Sequence, residues 1–502
     1  MLSWPPRWLI LTVLVIAIEA AYVFLISAGS FTDWPTWNTN YDLQAEGYRA
    51  GHLYLPVEPA PELLAKQNPL DPANESLWFW DATLHAGHYY LYWGPLPALA
   101  LAATKVVFHV RKPIGDQYIL FVFYSLYLVA GTLLINRIAN RLFERTPLWL
   151  VILAVLVFAF SNPTPFMIAT PGIYEAAIAG GQAFLVLGTL FACDAVFRGD
   201  AGATARRRQI LAGVAFALGM ATRVSIGPPV ALIVLWTALS LRHGKDGVSW
   251  RRALAVLVRI TTPVALVTAA LLAYNKARFG AWLEFGTTSQ LSTMRLRVQS
   301  EYVLPNLWSY LFRPLAVTCE FPFFTVIASA RGFPVWLRPP PGYWTPEPLA
   351  GLFSASPMGW LVPVALVLAG HLLWSRWRGR KLEDCRPSLA AQQRTTLWFI
   401  ASAFTLALVT ALPIAGQFIA TMRYTADASA GIALLTIWGG WTLYAYAGEG
   451  TWQRRIVALG LLSLAAGTVV IGLLLGTQGY DDMLRNRNPA LFESLHNLLS
   501  RC

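Results

Sequence analysis

Long apolar segments recur along the chain and dominate its pattern. The first runs from residue 8 to residue 28, and others of about 20 residues follow as far as residue 475. A helix of about 20 apolar residues can cross the roughly 30 Å hydrocarbon layer of a bilayer. A membrane β-barrel would instead alternate apolar and polar positions. The pattern therefore predicts an all-α polytopic membrane protein.

Eleven transmembrane helices account for these segments. The predicted spans are 8–28, 118–136, 147–163, 174–197, two short helices within 209–241, then 253–275, 358–375, 396–415, 428–447 and 456–475. Basic residues cluster at alternate ends of these spans, as at Arg137 to Arg145, at Arg206 to Arg208, and at 376–381. Because short cytoplasmic loops are enriched in Lys and Arg, we expect the N-terminus and these loops to be cytoplasmic.

The apolar segment 94–108 decides this topology. It begins with Gly94-Pro-Leu-Pro97 and contains Lys105. Apolar segments of about 10–14 residues are often interfacial. If it spanned the membrane, one of the two arginine-rich loops that follow would lie outside, whereas Lys and Arg are usually enriched in cytoplasmic loops. We therefore predict interfacial helices in one large external loop, 29–117; the alternative is a further span.

Composition and charge agree with a membrane protein. Of 502 residues, 56% are hydrophobic and 13% are charged, which excludes a disordered or ordinary soluble chain. The formal net charge of +12 does not require a nucleic-acid partner, since basic loops orient a membrane protein and favour anionic lipids. Cysteines at 193, 319, 385 and 502 form no disulfide framework or metal spacing.

Three regions follow from the topology. A transmembrane module with the large external loop occupies 1–300, an external loop region occupies 301–357, and C-terminal transmembrane helices with an external tail occupy 358–502.

Most of the notable polar residues fall on the predicted external face. They are Asp42, Glu46, Asp81, His85, His88, Tyr89, Tyr90, Glu175, Arg223, Arg278, Arg423, Tyr424 and Asp427. Ionisable groups near a membrane often mark a functional site. Each also has an ordinary interpretation, such as a solvated loop carboxylate or an arginine that reaches the lipid headgroups.

Several short motifs resemble the GT-C fold of integral-membrane glycosyltransferases that use polyprenyl-linked sugars. The families most similar in style are the protein O-mannosyltransferases and the aminoarabinose transferases. The motifs are Asp42 after the first span, Tyr89-Tyr-Leu-Tyr-Trp-Gly-Pro-Leu-Pro97, Glu175 after a Pro-rich turn, Tyr274-Asn-Lys-Ala-Arg-Phe-Gly280, Glu284-Phe-Gly286 and Arg423-Tyr-Thr-Ala-Asp427.

This resemblance implies an inverting enzyme of a bacterial inner membrane with a periplasmic active site. It would move a sugar from a polyprenyl-phosphate donor to a hydroxyl group of a polysaccharide, lipid or protein. The resemblance implies that Asp42 is the general base. Glu175 would orient the acceptor or help to hold a divalent cation, the one cofactor left open. Arg423, Arg223 and Arg278 are predicted to bind the donor phosphate, which a guanidinium can grip with two hydrogen bonds.

The remaining polar residues are predicted to contact substrate. The spacing Asp81-x3-His85-x2-His88 suggests a metal site, but no HExxH or Cys/His set supports one. We therefore expect substrate contacts from these three residues, and from Glu46, Tyr89, Tyr90, Tyr424 and Asp427.

Two other functions compete with the glycosyltransferase. A transporter or flippase of a lipid-linked substrate would carry charges deep within several spans, whereas Glu19 and Asp194 are the main ones here. A non-catalytic partner in a membrane assembly is the third alternative.

Overall fold

The protein is described by a computed structural model covering residues 5–198, 202–244, 247–293, 297–327, 332–343, 347–377 and 387–500. In these residues the longer helices are α1 Arg7–Ile26, α2 Asn40–Arg49, α3 Leu96–Val107, α4 Asp116–Leu142, α5 Leu148–Phe160, α6 Ile173–Arg198, α7 Ala203–Thr222, α8 Gly227–Leu241, α9 Trp250–Phe279, α10 Val303–Phe312, α11 Leu361–Trp377, α12 Pro387–Phe404, α13 Met422–Tyr446, α14 Trp452–Gly476 and α15 Pro489–Leu499.

Short helical segments and three small hairpins complete the described structure. The short segments are Pro61–Leu64, Pro72–Leu77, Thr164–Ile168, Val224–Ile226, Ser300–Tyr302, Leu352–Ala355, Pro357–Trp360, Thr405–Val409, Thr410–Ala415 and Met483–Arg487. The antiparallel hairpins pair Thr83–His85 (β1) with His88–Tyr90 (β2), His243–Gly244 (β3) with Gly247–Val248 (β4), and Ala316–Val317 (β5) with Phe324–Thr325 (β6).

The predicted all-α polytopic class is confirmed. Within the described ranges, seven helical segments combine the length and the apolar composition needed to cross a bilayer. They are Arg7–Ile26, Asp116–Leu142, Ile173–Phe197, Val224–Leu241, Trp250–Phe279, Pro357–Trp374 and Trp452–Gly476. The other four predicted spans coincide with α5, α7, α13, and α12 together with its continuation to residue 415.

Basic residues that the sequence assigns to cytoplasmic loops gather at one end of the bundle. Arg7 donates to the Asn140 side chain at 2.7 Å. Arg137 lies 2.7 Å from a carboxylate oxygen of Asp194, and Arg208 lies 3.6 Å from the other oxygen. Since successive helices alternate in direction, the opposite end collects the segments that the sequence predicts to be external. The predicted basic loop 376–381 lies outside the described residues from position 378 onward.

The interfacial helix predicted within 94–108 is α3, which has 12 residues. At 1.5 Å per residue it is about 18 Å long, which is shorter than the hydrocarbon layer. Its buried face includes Ala98, Leu101 and Lys105 and packs against α2, while Val106 and Phe108 are exposed. A short amphipathic helix of this kind fits the interfacial placement better than a span.

The helices share a continuous core from the first span to the last. It extends from Leu11 on α1 to Ala465 on α14. Polar contacts also join the predicted regions 1–300 and 358–502: the Trp398 indole donates to Thr237 Oγ1 at 3.0 Å, and Gln182 donates to the carbonyl of Asp427 at 3.0 Å.

The spacing of the cysteines shows no disulfide framework, yet the structure contains a disulfide. Cys193 is free and buried, whereas Cys319 is disulfide-bonded. Cys385 and Cys502 lie outside the described residues.

Candidate functional site

A buried ion pair fastens helix α2 to helix α3. Asp42 and Glu46 lie one turn apart on α2, so both carboxylates face α3. The Lys105 ammonium lies 2.6 Å from Asp42 Oδ1 and 2.6 Å from Glu46 Oε1, and its side chain is 1% exposed. Burial alone would lower the pKa of Lys105, but the two carboxylates outweigh this effect and raise it. The hydrogen bond from Lys105 lowers the pKa of Glu46.

A second buried carboxylate holds the start of α2. Asp116, at the first position of α4, is fully buried. Its side chain accepts hydrogen bonds from the backbone N–H groups of Asn40 and Tyr41, and its own N–H donates to the carbonyl of Asn38 at 3.1 Å. A carboxylate is favourable here because the first N–H groups of a helix lack partners within the helix.

Beside this segment lies a cavity of about 490 Å³ at the end of the bundle opposite the basic cluster. Its walls come from six parts of the chain: the segment before α2 with the first residue of α2, the loop after Trp78, the turn before α6 with the start of α6, the segment before α11, the start of α13 and the segment after α14. The lining residues are Trp37, Asn38, Asn40, Phe79, Trp80, Asp81, Thr170, Gly172, Ile173, Tyr174, Glu175, Glu347, Arg423 and Tyr480. Its volume lies within the usual range for small-ligand sites.

Glu175 is the acid in the cavity that has no side-chain partner among the described residues. The residue is 3% exposed; its carboxylate accepts a hydrogen bond from its own backbone N–H but makes no ion pair and no hydrogen bond to another described side chain. Arg423 is engaged instead by Glu347, with 2.9 Å between Nη2 and Oε1, and its guanidinium lies 4.5 Å from the Tyr174 ring centre. Glu175 is therefore the carboxylate best placed to take a proton from a ligand.

Asp81 lies on the same cavity at the end of a hydrogen-bond relay. Tyr92 donates to the Tyr174 hydroxyl at 2.8 Å, and Tyr174 donates in turn to Asp81. Gln290 donates to Asp81 Oδ1 at 3.3 Å. Burial is the main cause that raises the pKa of Asp81, and these donors and Arg423 oppose it.

Three of the predicted site residues, Asp81, Glu175 and Arg423, thus line one cavity. Asp42 and Glu46 do not line it, because Lys105 holds their side chains between α2 and α3. Residues far apart in the sequence do converge, on a cavity that Glu175 lines and Asp42 does not.

The other two predicted arginines lie in separate surroundings. Arg223 pairs with Asp427 at 2.8 Å, and its Nη1 has no hydrogen-bond partner among the described residues. Tyr424 interacts electrostatically with both Arg223 and Arg423, so it links this pair to the cavity wall. Arg278 is buried, donating to the carbonyl of Leu91 at 2.6 Å and to Asn275 at 2.8 Å.

The predicted histidine pair belongs to a hairpin. His85 and His88 face each other across the β1–β2 turn, where Ala86 and Gly87 both have positive φ, as a type I′ turn requires. His88 stacks on Tyr54 at 4.0 Å, and Tyr90 packs edge-on against Phe279 at 5.3 Å. The side chains of His85, His88, Tyr89 and Tyr90 belong to the segment between α2 and α3 and do not line the cavity.

Sequence patterns did not single out several wall residues. Trp37, Asn38, Asn40 and Tyr480 carry no charge, and Glu347 follows a Pro-rich segment with no motif. A signal was available for Asn38 and Asn40, because they belong to the same short polar segment as Asp42. Among the described residues, no group of three His, Cys, Asp or Glu side chains is arranged to hold a metal ion.

No protein-family model matches the chain, and no curated protein matches it in sequence. Among solved structures, the chain is similar to the apo oligosaccharyltransferase of Archaeoglobus fulgidus, with 12% identity and a TM-score of 0.46 over 94% of this chain and 56% of that one. The archaeal oligosaccharyltransferase AglB from the same organism, in complex with an inhibitory peptide and a dolichol-phosphate, is similar at 12% identity and a TM-score of 0.45, over 93% of this chain and 56% of that one.

The chain thus spans about half the length of these structures.

Replacing Lys105 with methionine should destabilise the protein by about 3–5 kcal/mol, the usual cost of leaving a buried charge unpaired. Asp42 would then lie buried without its counter-charge. Unfolding in detergent, followed by circular dichroism, measures the loss. Lys66→Met, at an exposed position, should have little effect; equal losses for the two variants would show that the ion pair does not stabilise the fold.

Asp81 should make the stability of the wild type fall as pH rises. Because burial raises its pKa in the folded state, the folded protein keeps this proton at pH values where the unfolded chain has lost it. The stabilisation is complete below the ordinary aspartate pKa and is lost as pH rises through the raised one. Asp81→Asn should remove this component, since asparagine tolerates the positive φ of 61°. If the melting temperatures of the two proteins changed with pH in the same way, Asp81 would not be the source of this pH dependence.

Proposed function

We propose that the protein is an inverting glycosyltransferase that moves a sugar from a polyprenyl-phosphate donor to an acceptor hydroxyl at the external face of the membrane. The cavity around Glu175 carries this proposal. It combines an unpaired carboxylate, two further acids, amide side chains and aromatic walls at one end of a helical membrane bundle. Glycosyl transfer needs such a set: a base for the acceptor and a shaped site for the sugar.

The reaction requires one proton transfer and one displacement. The acceptor oxygen attacks the anomeric carbon while Glu175 takes its proton, and the carbon–oxygen bond to the phosphate breaks with its electron pair on the leaving phosphate. Attack from the face opposite the leaving group inverts the anomeric centre. A carboxylate suits this step because it accepts the proton as positive character develops on the attacking oxygen.

Arg223 is our assignment among the three predicted phosphate ligands. Both terminal nitrogens of Arg278 are donated to protein oxygens. Arg223 is paired with Asp427 and Arg423 with Glu347, and each of these two side chains is 20% exposed. Arg423 faces three carboxylates in the cavity, so we assign the phosphate to Arg223, whose guanidinium the phosphate would share with Asp427.

Two carboxylates compete for the role of base. The resemblance implies Asp42 as the base, whereas the cavity geometry favours Glu175. In the geometric assignment Asp42 is a positioning residue: with Lys105 it holds α2, whose first turn carries Asn40 on the cavity wall.

Transfer assays on purified protein in liposomes distinguish the two assignments. The probes are radiolabelled polyprenyl-phosphate hexoses and pentoses, with bacterial envelope lipid and polysaccharide extracts as acceptors. Glu175→Gln should slow transfer at least about 100-fold, because a base contributes that much or more, whereas Asp42→Asn should act mainly through stability. Glu493→Gln, at an exposed site on α15, is the matched control.

A 100-fold loss in Asp42→Asn alone, with normal unfolding, would move the base to Asp42. Absence of transfer from the whole donor panel, or movement of donor across the bilayer without transfer, would overturn the proposed function.

We also propose that the cavity faces the periplasm or the cell exterior. The basic end of the bundle is the one expected in the cytoplasm. The disulfide at Cys319, in the external segment before α11, suits an oxidising compartment.

Cysteine labelling in intact cells tests this orientation. An impermeant maleimide should label Lys112→Cys, at an exposed position between α3 and α4, and should label Arg207→Cys, at the basic end, only after lysis. The wild type reports any labelling of native cysteines. The reverse pattern would place the cavity on the cytoplasmic side.

A further inference from the structure

The charges of the cavity restrict the sugar that it can accept. We propose that the cavity admits a hydroxyl-rich ring without negative charge and rejects anionic sugars, because Glu347 masks the arginine that would otherwise attract them. This inference rests on the proposed function, since it names the substrate class of that site.

The first observation is a charge imbalance. Among the described residues, three carboxylates line the cavity, those of Asp81, Glu175 and Glu347, and Arg423 is the one basic side chain facing them. Glu347 and Arg423 balance each other, so the wall carries a net charge between 0 and −2 that depends on the ionisation of Asp81 and Glu175 and becomes more negative as pH rises. A uronate or phosphorylated sugar would bring like charge into a partly desolvated space, where electrostatic repulsion is stronger than in water.

The second observation is the engagement of Arg423. Its Nη2 lies 2.9 Å from Glu347 Oε1, and aromatic rings flank the guanidinium, with Tyr174 at 4.5 Å and Tyr424 at 6.0 Å. An anionic ligand that displaced Glu347 from Arg423 would leave that carboxylate uncompensated in the wall. An anionic ligand that bound another nitrogen of Arg423 would lie beside the Glu347 carboxylate and be repelled by it.

The third observation concerns atoms that lack partners. Asn38 Oδ1 and Glu347 Oε2 are buried acceptors without a hydrogen bond among the described residues, and Glu175 is a buried carboxylate without a side-chain partner. Buried polar atoms are costly unless they are paired. A ligand that satisfies this wall must therefore bring O–H or N–H donors, as a polyhydroxylated ring does and a carboxylate does not.

The aromatic walls complete this match. Trp37, Phe79, Trp80 and Tyr480 line the same space. The C–H face of a sugar ring is apolar, so it can lie against an aromatic side chain while its hydroxyl groups reach the carboxylates and amides.

Binding to purified protein in nanodiscs at pH 7.5 tests the proposal. The probes are methyl glucoside and methyl glucuronide, which differ in one carboxylate, and saturation-transfer NMR measures both affinities. The wild type should bind the uncharged glycoside at least about tenfold more tightly. Equal or tighter binding of the glucuronide, or no detectable binding of either probe, would overturn the inference.

Glu347→Gln should then relax this selectivity. The change removes one negative charge and releases Arg423, so glucuronide affinity should rise at least about tenfold while glucoside affinity changes less than about threefold. Glu493→Gln should leave both unchanged. Unaltered selectivity in a folded Glu347→Gln protein would show that Glu347 does not mask Arg423. If that variant does not fold, the wild-type comparison alone decides the inference.

Two further outcomes separate the possible failures. If glucuronide binds the wild type only with added Mg²⁺ or Mn²⁺ and loses binding with EDTA, a cation sets the charge of the cavity and the inference is wrong. If the uncharged glycoside binds selectively but no lipid-linked donor supports transfer, the binding inference stands and the proposed glycosyltransferase activity fails.

Discussion

The ammonium group of Lys105, on helix α3, lies between two carboxylates of helix α2 and so joins the two helices. Both partners are short helices that could not remain ordered in water by their own backbone hydrogen bonds. The ion pair is buried, so it specifies one register between them: Asp42 and Glu46 must face α3, and Lys105 must face α2. The opposite face of the α2 segment is then free to contribute to the cavity.

Further contacts hold the segment between α1 and α4 in place. Asp116 ties the residues before α2 to the top of α4. Gly94 allows the chain before α3 to approach the end of α7, where a β-carbon would lie 2.1 Å from the carbonyl oxygen of Ala221. Arg278 secures the same loop through the carbonyl of Leu91. The charged residues around the cavity therefore divide into those that hold the loop in place and those that face a ligand.

This division explains why like-looking residues have different roles. Arg278 is buried and Arg423 is half-buried, and aromatic rings flank both. Arg278 donates to backbone and amide oxygens, whereas Arg423 lines a cavity beside a glutamate. Asp42 and Glu175 are both acids near the start of a helix. Asp42 has a lysine within 2.6 Å, whereas Glu175 has no side-chain partner among the described residues. Their chemistry differs because their neighbours differ.

The sequence by itself determined the helical membrane class, the alternation of basic and polar ends, the short helix within 94–108 and three residues of the cavity wall. Those properties depend on local composition and on the bilayer, which imposes helix length and loop charge. Only the tertiary structure decided that Lys105 forms an ion pair with Asp42 and that Glu347 forms one with Arg423. It also decided that His85 and His88 belong to a hairpin. The hairpin is a local structure. The two ion pairs depend on contacts between segments distant in the chain, and the geometry of such contacts is set by helix packing, which a residue's own surroundings in the sequence do not record.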